Sequence, residues 1–153
     1  QIAKQSNTKI ILSLSDSFCV DRHRESFLEL INEYVDIVFC NESEVLNLFK
    51  KDKLANCQGD LSSLCGLVVV TLGSKGSLII NKNDIKVIKS MNKGKVIDTT
   101  GAGDIYAGGF IHGLINNHSL KKCGEIGSIC AGHIVTQLGS RSDIDLKELL
   151  REI

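Results

Sequence analysis

Short apolar runs alternate along the chain with stretches whose apolar residues return every three or four positions, and the two periods predict different elements. Lys9 to Ser15 (KIILSLS) is a brief run with β-branched residues and predicts a buried strand. From Asp21 to Val35 the positions Phe27, Leu30, Ile31, Tyr34 and Val35 follow helical spacing. Asp36 to Cys40 (DIVFC) predicts a second strand. A short helix follows, with Val45, Leu48 and Phe49 on one face, and Leu67 to Leu72 (LVVVTL) predicts a third strand. Strands alternating with helices in this way make a mostly parallel α/β sheet flanked by helices.

After the third strand the pattern changes. Gly73-Ser74-Lys75-Gly76 separates LVVVTL from SLII, and Asn81 to Asp84 separates SLII from IKVIK, so two tight turns predict antiparallel strands. Lys93-Gly94-Lys95 predicts another turn before Val96 and Ile97. Two helices are then expected. The first, about Ala102 to Asn116, carries an apolar stripe of Ala107, Phe110, Ile111, Leu114 and Ile115. It also holds Gly108, Gly109 and Gly113, each costing about 1 kcal/mol against alanine, so close packing or a ligand must compensate. The second, about Ser119 to Leu138, places Leu120, Cys123, Ile126, Cys130, Ile134 and Leu138 inward, and a last amphipathic piece runs from Asp145 to Ile153.

Composition narrows the function more by exclusion than by signal. A chain of 153 residues is long enough for a sizeable core, and no repeat divides it, so it is treated as one unit. Eighteen basic residues balance eighteen acidic ones, which leaves no net pull toward nucleic acid or a charged membrane and favours a small-molecule partner. Six cysteines form no CxxC pair and sit mostly in apolar, regular segments, as buried reduced thiols of a cytoplasmic protein would. No histidine spacing suggests zinc, and the His23 cluster DRHR is expected to be a solvated helix start.

The candidate chemistry begins at VIDTTGAGDIYAGGF, residues 96 to 110. Unpaired amides at a helix start attract anions, and glycine at 101 and 103 removes side chains that would block a phosphate. An aspartate there would repel that phosphate. The conflict resolves if Asp104 takes a proton from a hydroxyl that attacks the phosphate held by the neighbouring amides. The bland alternative, an acid complementing the helix dipole, suits an isolated GxGD better than DTTGAGD followed by a glycine-rich helix. Asn41-Glu42-Ser43-Glu44 reads by itself as a capping box, but after a strand's carboxyl end it is also a candidate Mg²⁺ and phosphate neighbourhood. The turn Thr71 to Gly76 could lie along a nucleotide, with Ser74 or Lys75 near phosphate. A dinucleotide fingerprint fits poorly, since the glycines do not follow the first strand, and no P-loop sequence occurs.

Taken in order, NESE (Asn41 to Glu44), VVVTLGSKG (Val68 to Gly76) and DTTGAGD (Asp98 to Asp104) make the chain resemble the C-terminal half of a ribokinase-like (PfkB family) carbohydrate or nucleoside kinase. LSDSFCVDRHRESFLELI (Leu14 to Ile31) is similar to a bacterial adenosine kinase or sugar kinase subgroup. The resemblance covers nearly the whole chain and implies ATP-dependent phosphorylation of an alcohol group on a sugar or nucleoside. It implies Asp104 as base, and the amides of Gly101, Ala102 and Gly103 as an anion hole. Asn41 and Glu44 would order Mg²⁺ and phosphates largely through water, and the Thr71, Gly73, Ser74 and Gly76 loop would border ATP together with the helix around Gly127 to Gly139. Asp98 and Thr100, with backbone near Gly139, match a region where many members hold a monovalent cation, K⁺ being the candidate. Members run to about twice this length, and their N-terminal half supplies the lid and most acceptor contacts. The expectation is therefore residues 1–153 as the ATP-binding and catalytic portion of a longer kinase, inactive alone, with a homodimer open to the full-length protein. The alternative is a nucleotide-binding relative that regulates without phosphorylating.

Overall fold

The computed structural model describes residues 2–82, 84–92 and 94–152, without the side chain of residue 152. The expected turns at 81–84 and 93–95 and the end of the last amphipathic piece therefore fall partly outside the described residues. In chain order the elements are helix α1 (Ile2–Gln5), strand β1 (Ile11–Ser13), helices α2 (Ser17–Arg22) and α3 (Arg24–Tyr34), strand β2 (Ile37–Asn41), helix α4 (Glu42–Phe49) and a 3₁₀ turn (Leu54–Cys57). Helix α5 (Gln58–Leu64), strand β3 (Leu67–Thr71), a 3₁₀ turn (Gly73–Lys75) and strands β4 (Ser77–Asn81) and β5 (Asp84–Ile88) follow. Helices α6 (Ala102–Ile115), α7 (Leu120–Ile134) and α8 (Leu146–Leu149) complete the set, with a final 3₁₀ turn (Leu150–Glu152).

The five strands form one sheet in the order β1-β2-β3-β4-β5. β1, β2 and β3 are parallel, with Ile11 opposite Ile37 and Ile37 opposite Leu67. Short links join β3 to β4 and β4 to β5, too short for the crossover that parallel neighbours need, so the sheet is mixed. Two compact units are present, Gln1–Thr71 with Leu78–Lys86, and Leu72–Ser77 with Val87–Ile153. In the first, β2 and β3 are buried on both faces, and Val38, Val68, Val69 and Val70 are fully buried. That explains continuous apolar runs in place of alternation. In the second, Phe110, Cys123, Ile126, Cys130 and Ile134 form the core between α6 and α7.

Several expectations needed correction. The first strand is shorter than KIILSLS and largely exposed, because β1 stands at the end of the sheet order and pairs only with β2 among the described residues. The helix expected over Asp21 to Val35 is two, broken at His23, which caps the end of α2 and the start of α3. The face of α3 centres on buried Ile31 and takes Phe27, Leu28 and Tyr34; Leu30, a residue round from that centre, is 42% exposed. Leu138 lies beyond α7 and is exposed, as is Ile115 at the end of α6. Cys19 is exposed and Cys65 half-buried, so only four of the six free thiols are buried. The turn at Leu54–Cys57 and helix α5 were not anticipated, although Leu54, Cys57, Leu61 and Leu64 carry the helical period, and Cys57, Leu61 and Leu64 are buried.

Candidate active site

In the first unit the parallel pairing sets Asn41 beside Thr71 at the carboxyl ends of β2 and β3. The Thr71 hydroxyl donates to the Cys40 carbonyl at 3.3 Å. Helix α4 starts immediately after Asn41, and its start is closed by its own side chains. The Asn41 side-chain oxygen accepts the Glu44 amide at 2.9 Å and the Ser43 hydroxyl at 2.6 Å. The Glu44 carboxylate accepts the Asn41 amide at 2.9 Å and the Asn41 side-chain NH₂ at 2.7 Å. The capping box expected from NESE is thus complete. Glu44 is buried, and burial pushes its carboxyl above the ordinary value; the Asn41 amide opposes that shift and the negative charge of Asp16 adds to it. Asp16, at the N-cap of α2, is a neighbour that sequence reasoning missed; only its place just past the β1 strand could have signalled it.

The second unit contains a helix start of the opposite kind. Gly101, in the left-handed region at φ 75°, is the N-cap of α6 and offers no side-chain cap. The Ala102 amide closes a turn onto the Thr99 carbonyl at 3.2 Å and the Ile105 amide reaches Gly101 at 2.9 Å. Between them, the amides of Gly103 and Asp104 have no partner among the described residues. A Cβ on Gly101 would collide with the Ser140 side chain, whereas one on Gly103 would meet nothing within 4 Å. Packing requires the first glycine and not the second. Asp104 is exposed in the first turn.

Just before this turn, Asp98 holds two segments together. One carboxylate oxygen accepts the Thr100 amide at 2.9 Å and the Thr100 hydroxyl at 2.7 Å, while the other accepts the Gly139 amide at 2.9 Å. The Thr100 hydroxyl, then the Thr100 and Gly139 amides, hold the Asp98 carboxyl below its ordinary value. Sequence residues 98, 100 and 139 are therefore neighbours, as expected.

The loop after β3 is tightly built. The Leu72 amide donates to the Gly76 carbonyl at 2.8 Å, and Gly76, at φ 98°, runs so close to the Ile88 carbonyl that no side chain fits. Gly73 and Ser74 are exposed. The glycines of α6 serve packing in part: a Cβ on Gly109 would come within 3.0 Å of Gly127, and one on Gly113 within 3.0 Å of Cys123, both on α7. The buried face is accordingly Tyr106, Gly109, Phe110 and Gly113, rather than the larger aliphatic residues the stripe suggested. Gly108 faces open space.

Among the described residues no group of three or more His, Cys, Asp or Glu side chains is placed to hold a metal ion, and no helix is long and apolar enough to cross a membrane. The donors at Glu44 fit a hydrated Mg²⁺, since the carboxylate already accepts two bonds from Asn41 and is better suited to hold the ion's water than to enclose a bare ion.

The family model for pfkB family carbohydrate kinases matches residues 1–147. A nucleoside kinase of Methanocaldococcus jannaschii is 35% identical over 122 residues, covering 79% of this chain and 39% of that one. Among solved structures, an adenosine kinase from Sinorhizobium meliloti superimposes with a TM-score of 0.95 at 37% identity, over 99% of this chain and 46% of that one. A probable sugar kinase protein from Rhizobium etli gives 0.95 at 36%, with the same coverage. The chain thus spans less than half the length of these relatives and carries their ribokinase-like fold in that part. With the GAGD turn at an open helix start and a family match over nearly its whole length, the chain belongs to the PfkB family of carbohydrate kinases.

Proposed function

We propose that the full-length protein transfers the γ-phosphoryl group of ATP to an alcohol group of a sugar or nucleoside, with residues 1–153 as its ATP-binding and catalytic portion. Relatives named as nucleoside or adenosine kinases and as sugar kinases support both acceptor classes. One observation carries the reading: exposed Asp104 stands in the same turn as unpartnered amides, beside a glycine whose missing side chain no packing contact demands.

The chemistry follows from that geometry. Asp104 accepts the proton of the acceptor hydroxyl as its oxygen attacks phosphorus, and the bond from the γ-phosphorus to the bridging oxygen of ADP breaks. The amides of Gly101 and Gly103 meet the charge on the transferred oxygens; that of Ala102 joins them on leaving its long turn bond to Thr99. With the positive end of the α6 dipole, the amides that are already free supply stabilisation that needs no reorganisation. Asn41 and Glu44 would hold the water shell of Mg²⁺, which would neutralise phosphate charge. Thr71, Gly73, Ser74 and Gly76 border the nucleotide. The carboxylate of Asp98 and the hydroxyl of Thr100 would be the ligands for a monovalent cation. Free thiols, two of them not buried, suit a reducing cytoplasmic setting.

The test is full-length protein incubated with Mg-ATP and a panel of nucleosides and sugars, beside Asp104→Asn. Turnover of at least one acceptor is expected, with kcat falling about 10²- to 10⁴-fold in the variant while ATP binding persists. Near-normal turnover by Asp104→Asn removes the base. ATP binding without transfer to any acceptor supports instead a nucleotide-binding regulatory relative.

A further inference from the structure

Ser77 and Tyr106 form a buried hydroxyl pair, Oγ to phenolic oxygen at 2.7 Å, with Ser77 fully buried and Tyr106 4% exposed. Their places in the fold give the pair a use. Ser77 is the first residue after Gly76, at the end of the loop assigned above to the nucleotide, and Tyr106 lies two residues after Asp104 on α6. Two residues turn a helix by about 200°, so Asp104 faces outward where Tyr106 faces inward. We infer that the Ser77–Tyr106 pair is a positioning device that fixes the loop Gly73–Gly76 and the Asp104 turn of α6 to one another; this rests on the kinase reading proposed above.

Three observations converge on this role. The contacts of α6 with α7 run through glycines, Gly109 against Gly127 and Gly113 against Cys123. The glycines let the helices approach closely, with the apolar side chains of Phe110, Cys123, Ile126, Cys130 and Ile134 packed between them. Tyr106 adds a polar anchor to that apolar contact: its ring edge and carbonyl border Gly127, closely enough that a Cβ there would lie 2.7 Å from the carbonyl oxygen, while its phenol reaches Ser77. The loop, in turn, is clamped at its far end by Gly76 beneath the Ile88 carbonyl and by the Leu72–Gly76 bond, so Ser77 transmits a defined position. A tilt of α6 that moved the phenol off Ser77 would swing Asp104 through a similar arc on the other side of the helix axis. Burial pushes the Tyr106 phenol up to about 12, against the favourable bond from Ser77, so the pair stays uncharged through the working pH range.

The experiment uses full-length protein: wild type, Ser77→Ala, Tyr106→Phe, the double variant and Asp104→Asn, each measured for Tm, kcat and KM for ATP. Each single variant leaves the other hydroxyl buried and unpaired and lowers Tm, whereas the double variant removes both polar groups and regains most of it. Positioning predicts that kcat stays down about tenfold in all three, because a small misplacement of reacting groups is expensive. Recovery of kcat with Tm in the double variant overturns the inference and leaves the pair merely structural. Normal kcat in Tyr106→Phe at a temperature where it is fully folded overturns it too, even if the double variant fails to fold. Failure of the underlying reading shows elsewhere, as absent wild-type turnover or normal turnover in Asp104→Asn.

Discussion

The two helix starts that carry the candidate chemistry are built on opposite plans. At α4, Asn41 and Glu44 satisfy each other's backbone amides in a complete capping box. At α6, Gly101 supplies a left-handed bend and no cap, and the amides of Gly103 and Asp104 are left over. Anion binding at a helix start needs free donors, so only the second is ready for a phosphate held by backbone. The first offers a fixed carboxylate instead, which is suited to a cation and its water. Two sequence motifs of similar length thus finish their helices differently: side chains close the first, and the second leaves backbone donors open.

The sharpest way to break that contrast is at the glycines of α6. Gly103→Ala has open space and ordinary helical geometry, so Tm should hold or rise slightly, yet a methyl group facing the phosphate should lower kcat/KM for ATP about 100-fold, in the range for a lost oxyanion donor. Unchanged kinetics would mean that the open amides have no catalytic use. Gly101→Ala should do the reverse in stability: the left-handed backbone costs about 1–2 kcal/mol and the collision with Ser140 adds about 1–3 kcal/mol. Thermal unfolding of both variants separates the glycine kept for chemistry from the one kept for the chain path.

A smaller effect is expected at Glu44. Its carboxyl is raised by burial, so the fold favours the protonated form and disfavours the carboxylate, a penalty that a nearby cation would relieve. Stability should therefore rise as pH falls through the raised value toward the ordinary glutamic acid value of about 4.3. Mg²⁺ binding should displace a proton and strengthen with pH across that same window. Glu44→Gln should change stability by less than about 1 kcal/mol, since one cap bond is lost while a buried charge is removed. The apparent KM for Mg-ATP should rise about tenfold, within the loss typical of a missing metal-shell partner. A Mg²⁺ titration of turnover at several pH values checks both.

The smallest effect concerns the Asp98 clasp. Its carboxyl is depressed, so its contribution is complete above the ordinary aspartate value of about 3.9 and disappears as pH falls through the lower folded value. Between pH 6 and 8 nothing should change. Asp98→Asn should instead loosen the Gly139 segment at all pH values, read as faster amide exchange at Gly139 with Tm nearly constant. Equal exchange in both proteins would show that the segment is held by other contacts.

Much of this was legible in the residues. The apolar runs located β2 and β3, because strands buried on both faces need no alternation. NESE declared its own capping box, since that motif is satisfied within four residues and needs nothing distant. Less legible was anything set by neighbours. KIILSLS looks as buried as DIVFC, yet Ile11 and Ser13 are exposed while Leu14 is fully buried, a division the run itself does not mark. The α6 stripe misled because burial there follows closeness to α7, which selects Gly109 and Gly113 over Ile111 and Ile115.

By itself the sequence determined the alternation of strands and helices, the family signature and the capping box at NESE, all of which depend on local spacing. The tertiary structure decided which glycine is required by the chain and which is spare, that residue 139 closes on Asp98, and that Tyr106 meets Ser77. Those are distances between segments far apart in the chain, and local period and composition carry no record of them.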